Sequence, residues 1–468
     1  MKGAELMTQS NRHVSRRGFV TNLAAAAAGS AALATKSWAK DATPPDQQPP
    51  GDSVDVLVVG GGTAGAIAAI QAARAGAATV LVEMGGQLGG TTTTGGVAYP
   101  GLFHAWGRQV IAGIGWELVL KAVQLDSGIL PDFSQPPQRH SEHQVRVNGS
   151  LYAALLEEAF LEAGGRLRYY EVPRVVRPIE NGYELELVGR ESERRVVCRQ
   201  LIDCTGDANV VGRLGLPRLR DKTTQPATMM FELGNYETAQ LDAGLIEQRY
   251  RDALRDKQLR PGDVANPAAR FINFLRSRGS NAQHVLGVDG ATSEGKTQAN
   301  IAGRQSVLRI LRFVRSLPGC EKARLVLMQT ETGIRETYRI VGEAMVTEAD
   351  YAGGRIFDDA VCHAFYPIDI HDEHGVVPQP LRAGIVPTVP LGALIPKGSR
   401  NLMIAGRSVC SDRPANSALR VQASCMAMGQ AAGAAAALAA NAGLTPSQVP
   451  LQKLRALLKQ YGAIVPNA

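Results

Sequence analysis

Apolar and polar positions alternate along this chain in blocks of clear period. Val54 to Val59 is apolar at every position except Asp55, which predicts a buried strand. An Ala-rich apolar helix pattern follows to Ala73, and Thr79-Val-Leu-Val-Glu83 reads as a second buried strand ending in an acid. Further on, the pattern predicts helices near 109–124 and 151–163, the latter with Leu151, Leu155, Ala159 and Leu161 among its apolar positions. Strands are predicted at 166–170, 172–177, 183–188 and 196–203, with Asn181-Gly182 as a hairpin turn. Helices at about 300–317 and 333–349 lie in a stretch that mixes strands with charged loops. A buried strand ending at Gly406 and an Ala/Gly-rich helix over 421–440 close the pattern. No internal repeat is visible.

The first junction carries chemistry. Gly60-Gly-Gly-Thr63-Ala64-Gly65 sits between the first strand and the first helix, in the strand–GxGxxG–helix–strand–acid context of a dinucleotide-binding βαβ unit. Gly60 allows the tight turn, Gly62 lets backbone approach a pyrophosphate, and Gly65 lets the helix pack on the sheet. The helix N-terminus offers free N–H groups to phosphates. Glu83, beside Met84, stands 23 residues after Gly60 and can accept from ribose hydroxyls. A glycine-rich turn in some other α/β protein is the alternative, and the ordered context disfavours it. No second strand–GxGxxG–helix unit occurs, so no nicotinamide domain is expected.

Composition sharpens this. Glycine contributes 50 of 468 residues, and many occur as doublets suited to backbone lying against a ligand (Gly85-Gly86, Gly89-Gly90, Gly95-Gly96). The formal charge is +7, of which +4 belongs to residues 1–39. The remaining +3 is weak support for a nucleic-acid or acidic-membrane partner. Arg309, Arg312 and Arg315 read as the solvated face of an amphipathic helix. None of the six cysteines forms C-x-x-C. Cys204, Cys410 and Cys425 lie in apolar segments and read as small buried side chains, although disulfides are open to an exported chain.

Residues 1–39 read as a targeting segment. Ser15-Arg16-Arg17-Gly18-Phe19-Val20 resembles a twin-arginine export signal, followed by an apolar stretch over 24–34 and a small-x-small site at 37–39. The apolar run is too short to span a bilayer, which takes about 20 residues. Such a signal implies passage through the twin-arginine translocase to the periplasm, already folded and cofactor-loaded. Residues 40–52 read as a linker.

Four blocks in order resemble the FAD-dependent oxidoreductases of the glutathione-reductase-like superfamily, nearest to the bacterial family related to fumarate reductase flavoproteins. They are Gly60–Gly65 with Glu83, the loop 85–96, Leu201-Ile-Asp-Cys-Thr-Gly-Asp-Ala208, and 401–407 with 420–433. The resemblance implies an α/β, glutathione-reductase-like FAD-binding fold with an inserted α+β substrate/cap domain. FAD-binding segments would cover 53–214 and 386–441, the insert 215–385, and a helix or tail 442–468. It further implies that Gly89, Gly90, Thr91, Thr92, Gly95 and Gly96 wrap the pyrophosphate and the flavin edge. Backbone near Val172 would hold the adenine, and Thr205, Gly206 and Asp207 would line the nucleotide. Gly406 and Arg407 would meet the ribityl chain. Val421 and Gln422, at the start of the last helix, would face the flavin O2 side.

Candidates for substrate chemistry are Arg335, in a segment resembling the family's, as an anchor for a carboxylate or carbonyl, and His363 and His104 as general bases. A salt bridge of Arg335 with Glu331 or Glu336, and core packing for both histidines, are the alternatives. Arg407 and Arg420 read as structural support. His140-x-x-His143 and His371-x-x-His374 have chelating spacing but lie in polar segments that read as solvated loops, so no metal is expected. In fumarate-reducing relatives a substrate-binding arginine precedes the last helix, and an ungapped count puts Ser417 there. The expected activity is hydride transfer between a small organic substrate and flavin, with a quinone, O2 or a periplasmic redox protein as electron partner. A flavin-dependent hydratase or isomerase and an electron-transfer subunit are the alternatives.

Overall fold

The computed structural model describes residues 52–466 except 136, 138 and 268. The segment expected to be an export signal and nearly all of the expected linker lie outside the described residues.

Strand β1 (Asp52–Val59) is the centre of a seven-stranded sheet. It is flanked in parallel by β2 (Thr79–Glu83) on one side and by the long strand Ser192–Asp203 on the other. Strand Arg166–Tyr169 adds in parallel outside β2. Both faces of β1 are covered, which is why its sequence is nearly all apolar rather than alternating. The strands Val172–Ile179 and Gly182–Gly189 form the antiparallel hairpin predicted at Asn181-Gly182, and the second pairs with the first half of Ser192–Asp203. Leu402–Ile404 pairs in parallel with the far end of that same strand, Leu201–Asp203. Chain segments about 200 residues apart therefore end side by side at the carboxyl end of the sheet, where open α/β sheets place their ligands.

One face of the sheet carries helix α1 (Thr63–Arg74) crossed by the Gln422–Ala442 helix. The crossing is closer than side chains allow. A Cβ added at Gly429 would overlap the carbonyl oxygen of Ala64, and one at Gly433 that of Ala68. The two glycines, four apart on one helix face, let backbone lie on backbone. Gly429→Ala should cost about 1–3 kcal/mol by overpacking, read as a lower urea midpoint with an unchanged m-value. The Gln422–Ala442 helix is long and apolar enough to cross a membrane, but 89% of its most apolar window is buried within this protein.

A second apolar core forms between 229 and 323, from Met229, Phe231, Tyr250, Phe271, Phe274, Ile310 and Phe313 among others. It packs helices Ala243–Arg255, Phe271–Arg276 and Ser293–Arg315 against the small sheet of Phe231–Gly234, Gly279–Ser280 and Arg324–Met328.

Three sequence expectations need correction. The helix predicted at 333–349 is absent: Gly333 bridges Thr228 and Arg339–Ile340 pairs with Arg218–Leu219, so the backbone there serves extended partners. A short helix starts only at Glu348, behind the Thr347 capping box. Arg309 is not part of a solvated face: it makes a two-pronged contact with the buried carboxylate of Asp263, at 2.7 and 3.0 Å. His371 is buried while His374 is 85% exposed at its side chain, so the pair does not share one environment. All six cysteines are buried and unpaired.

Candidate FAD and substrate site

The glycine turn has the predicted form. Gly60 has φ +98°, a conformation open to glycine, and a Cβ there would sit against the Cys204 carbonyl. A Cβ at Gly65 would lie 2.8 Å from Cys204 Cβ and overlap the Gly60 carbonyl, so this glycine sets the helix-to-sheet distance. Gly62 differs. It has φ −65°, and a Cβ there would meet no protein atom within 4 Å. Among the described residues no side chain caps α1 and no acid lies in its first turn, so that turn presents backbone N–H groups without side-chain acceptors, as an anion site requires.

The second glycine block lies directly on the first. Gly89 N–H donates to Gly61 O at 2.9 Å, and Thr63 Oγ1 donates to Gly89 O at 3.0 Å. Thr92 Oγ1 bonds Gln422 Oε1 at the start of the last long helix, and Gln422 Nε2 donates to Val97 O at 2.9 Å. Gly96 abuts Gln329, and Gly95 folds back on Thr91. Glu83 accepts from the N–H groups of Gly61 and Gly85, each at 2.7 Å. Burial pushes its carboxyl upward against those two donors. Met84 and Val172 are both exposed.

The third and fourth blocks are tied by charge. Arg407 donates to Gly206 O at 2.7 Å and to Asp207 Oδ1 at 2.6 Å, and Thr337 Oγ1 donates to the same Asp207 oxygen at 2.7 Å. Thr205 bonds Asp203, whose buried carboxylate also caps the helix at Val210 and Val211. Gly406 has φ +96° and faces Ala64 of α1.

Glycine turn, threonine loop and last helix thus surround one region. Its residues fit FAD on three observations: the open space at Gly62, the first turn of α1 without a side-chain cap, and two buried polar atoms at the start of the last helix, Arg420 Nε and Ser424 Oγ, that have no partner among the described residues.

Beside that helix start lies a polar cluster that the sequence reading largely missed. Arg335 is buried and makes neither alternative salt bridge: Glu331 pairs with Lys296, and Glu336 with Arg413. Among the described residues its guanidinium donates to neutral acceptors, Pro226 O at 2.6 Å, Thr228 Oγ1 at 2.9 Å and Asn281 Oδ1 at 3.4 Å. Burial, and then the charge of Arg420, lower its pKa to about 9 against the opposing charge of Asp369. Arg420 donates to Asp369 O at 3.1 Å and Gln225 Oε1 at 3.2 Å, and lies 3.6 Å from Asp369 Oδ2. Asp369 in turn meets His371, which meets His284. Gln225 fixes the set: both of its N–H groups, backbone and side-chain, donate to Glu336, and its oxygen accepts from Arg420 and the His371 backbone. Ser417 is buried and bonds Pro414 O and the Asp369 N–H.

The other two candidate bases lie apart from this cluster in their contacts. His104 stacks on Phe133 at 3.7 Å and meets Trp116 edge-on, and burial lowers its pKa to about 4. His363 is held on strand Ala360–His363, its pKa lowered by burial. The Nδ1 atoms of both are buried without a partner. His140 and His143 are not plain solvated groups: His143 is buried against Phe133, and His140 meets Tyr366 edge-on. No group of three or more potential metal ligands occurs among the described residues.

Two buried histidines and the half-buried His104 set a pH dependence. His104, His284 and His371 fall from 6.5 to about 4, 3 and 4, chiefly through burial. The unfolded chain binds protons below about 6.5 that the folded chain refuses, so stability is full above that pH and falls on the way to pH 4. Melting temperature should drop across this window, and His104→Phe, which keeps the stack, should flatten the slope. A flat profile in the parent protein would contradict these environments.

The chain matches the family described as FAD dependent oxidoreductase over residues 55–458. No curated protein matches it. Among solved structures it is similar to a geranylgeranyl bacteriochlorophyll reductase-like protein from Thermoplasma acidophilum, with 13% identity over 87% of this chain and 84% of that one and a TM-score of 0.39. It is similar to p-nitrophenol 4-monooxygenase PnpA from Pseudomonas putida, with 11% identity over 87% and 84% and a TM-score of 0.38. The likeness to the anhydrotetracycline hydroxylase OxyS from Streptomyces rimosus has 19% identity over 42% of this chain, spans only 41% of that protein, and has a TM-score of 0.28. The family match carries the assignment: the protein belongs to the FAD dependent oxidoreductases.

Proposed function

We propose that this protein is an exported FAD-dependent oxidoreductase that moves a hydride between flavin and a small anionic organic substrate. The observation that carries the substrate class is Arg335, a buried guanidinium that no carboxylate among the described residues hydrogen-bonds, set close to a second arginine so that both act on the single carboxylate of Asp369. A buried charge left uncompensated costs several kcal/mol, and a bound carboxylate supplies the missing counter-charge. Arg420 lies just before the last helix, so a substrate held there meets the region that the glycine blocks and Gln422 enclose.

Flavin, when bound, supplies the two-electron chemistry. The protein's residues do the rest. Gly62, the α1 N-terminus and Thr91–Thr92 hold the pyrophosphate, and Glu83 the ribose. Arg335 and Arg420 bind and orient the substrate. The second core, from 229 to 323, acts as the cap, since Thr228, Asn281 and His284 reach the substrate side from its edge. Electrons pass to or from a quinone, O2 or a periplasmic redox protein. The resemblance of residues 15–20 to a twin-arginine signal supports export to the periplasm.

Anaerobic mixing with 2-hydroxy acids, amino acids and enoates, the last against the chemically reduced protein, tests this. Loss or return of flavin colour with matching product supports the reading. Product without any colour change indicates a hydratase or isomerase. Colour change only with a partner protein indicates an electron-transfer subunit.

A further inference from the structure

Behind Arg420 a chain of hydrogen-bonding groups runs inward. Asp369 Oδ2 lies 3.1 Å from His371 Nε2, His371 Nδ1 lies 3.0 Å from His284 Nε2, and His284 Nδ1 lies 3.2 Å from the Asp372 carbonyl oxygen. Both rings are buried.

Counting protons along this chain is informative. The Asp372 carbonyl can only accept, and a carboxylate can only accept. Three contacts therefore need three protons. Two neutral imidazoles bring two, and the carboxylate brings none. In the resting charge state one contact always sets lone pair against lone pair, an unmade buried hydrogen bond. One further proton closes all three contacts together.

The surroundings hold that proton off. Burial, and next the charge of Arg335, push both histidines below their ordinary range. Arg420 adds a second positive charge beside Asp369. Tyr366 and His140 also face Asp369. Glu336 reaches the chain only through Gln225, and its charge is matched by Arg413. The cluster thus lacks one anion and one proton, and each deficit opposes filling the other.

We propose that binding of a small carboxylate at Arg335 and Arg420 is coupled to uptake of one proton by the Asp369–His371–His284 chain. This rests on the anionic-substrate reading above. The carboxylate cancels the positive field, and the proton, drawn from water, fills the open contact. No other bond changes. The loaded chain is then a proton store beside the substrate, and Asp369 and His371 are positioning and proton-holding residues.

Asp369→Asn is the decisive variant. The asparagine amide donates to His371 Nε2, so the chain is saturated with no added proton. The FAD-loaded protein is titrated with oxalate by calorimetry in buffers of different ionisation enthalpy, near pH 5.5. The parent should take up more than about half a proton per oxalate, and its affinity should fall as pH rises, by up to about tenfold per unit. Asp369→Asn should bind oxalate with uptake near zero and a flat pH profile. No uptake by the parent, undiminished uptake by the variant, or no binding of millimolar oxalate to the parent would each overturn the inference. Flavin retention is checked first by visible absorbance: a yellow protein that binds oxalate without proton uptake sinks this inference alone, whereas a yellow protein that binds no oxalate sinks the anionic-substrate reading with it.

Discussion

Gly62→Asp should give a folded, colourless protein. The backbone at Gly62 has an ordinary φ of −65°, and a Cβ meets no protein atom within 4 Å, so the fold accepts a side chain there. The added carboxylate would occupy the space read as belonging to the pyrophosphate, with negative charge facing negative charge where the α1 N-terminus otherwise favours an anion. FAD affinity should drop by at least about a hundredfold, or roughly 2.7 kcal/mol, with the melting temperature of the flavin-free protein unchanged. Gly65→Val gives the contrast. Its Cβ would overlap the Gly60 carbonyl and crowd Cys204, so it should impair folding itself. Retention of full flavin colour by Gly62→Asp would show that the first turn of α1 does not hold the cofactor.

Arg335→Met should separate activity from stability. The methionine keeps apolar bulk and removes a buried charge that no carboxylate among the described residues hydrogen-bonds. Removing such a charge is favourable, while leaving the Pro226 carbonyl without its donor costs about 1–3 kcal/mol. The two effects offset, so unfolding free energy should shift by no more than about 1 kcal/mol, with flavin still bound. Loss of a buried, charge-assisted contact to an anionic substrate costs about 2–5 kcal/mol, so kcat/KM should fall by a hundredfold or more. A strongly destabilised Arg335→Met protein would assign the guanidinium to the fold rather than to substrate.

The parts legible in the sequence were those whose cause is local. A strand buried on both faces writes a continuous apolar run, and a strand-to-helix turn with no room for side chains writes glycine. That is why β1, Gly60, Gly65, the hairpin at Asn181-Gly182 and the Ala/Gly-rich last helix were readable. The polar cluster is different. His284 and His371 are 87 residues apart and meet only through the tertiary fold. A local signal did exist: Ile368-Asp369-Ile370-His371 alternates, which sets Asp369 and His371 on one side of an extended segment and the two isoleucines on the other. The His371-x-x-His374 spacing drew attention to the wrong partner. Arg309 misled for a similar reason, because the buried Asp263 that it meets lies on a remote loop. The 333–349 segment has a helical pattern, but extended pairing with Thr228 and with Arg218–Leu219 overrides it.

Titration of FAD into flavin-free protein, followed by visible absorbance and scored for stoichiometry, bears most directly on the convergence of these remote segments. The account predicts one FAD per chain with a dissociation constant in the micromolar range or tighter, and loss of that binding in Gly62→Asp. A folded protein that takes up no FAD, or that binds it equally well with aspartate at position 62, would contradict it.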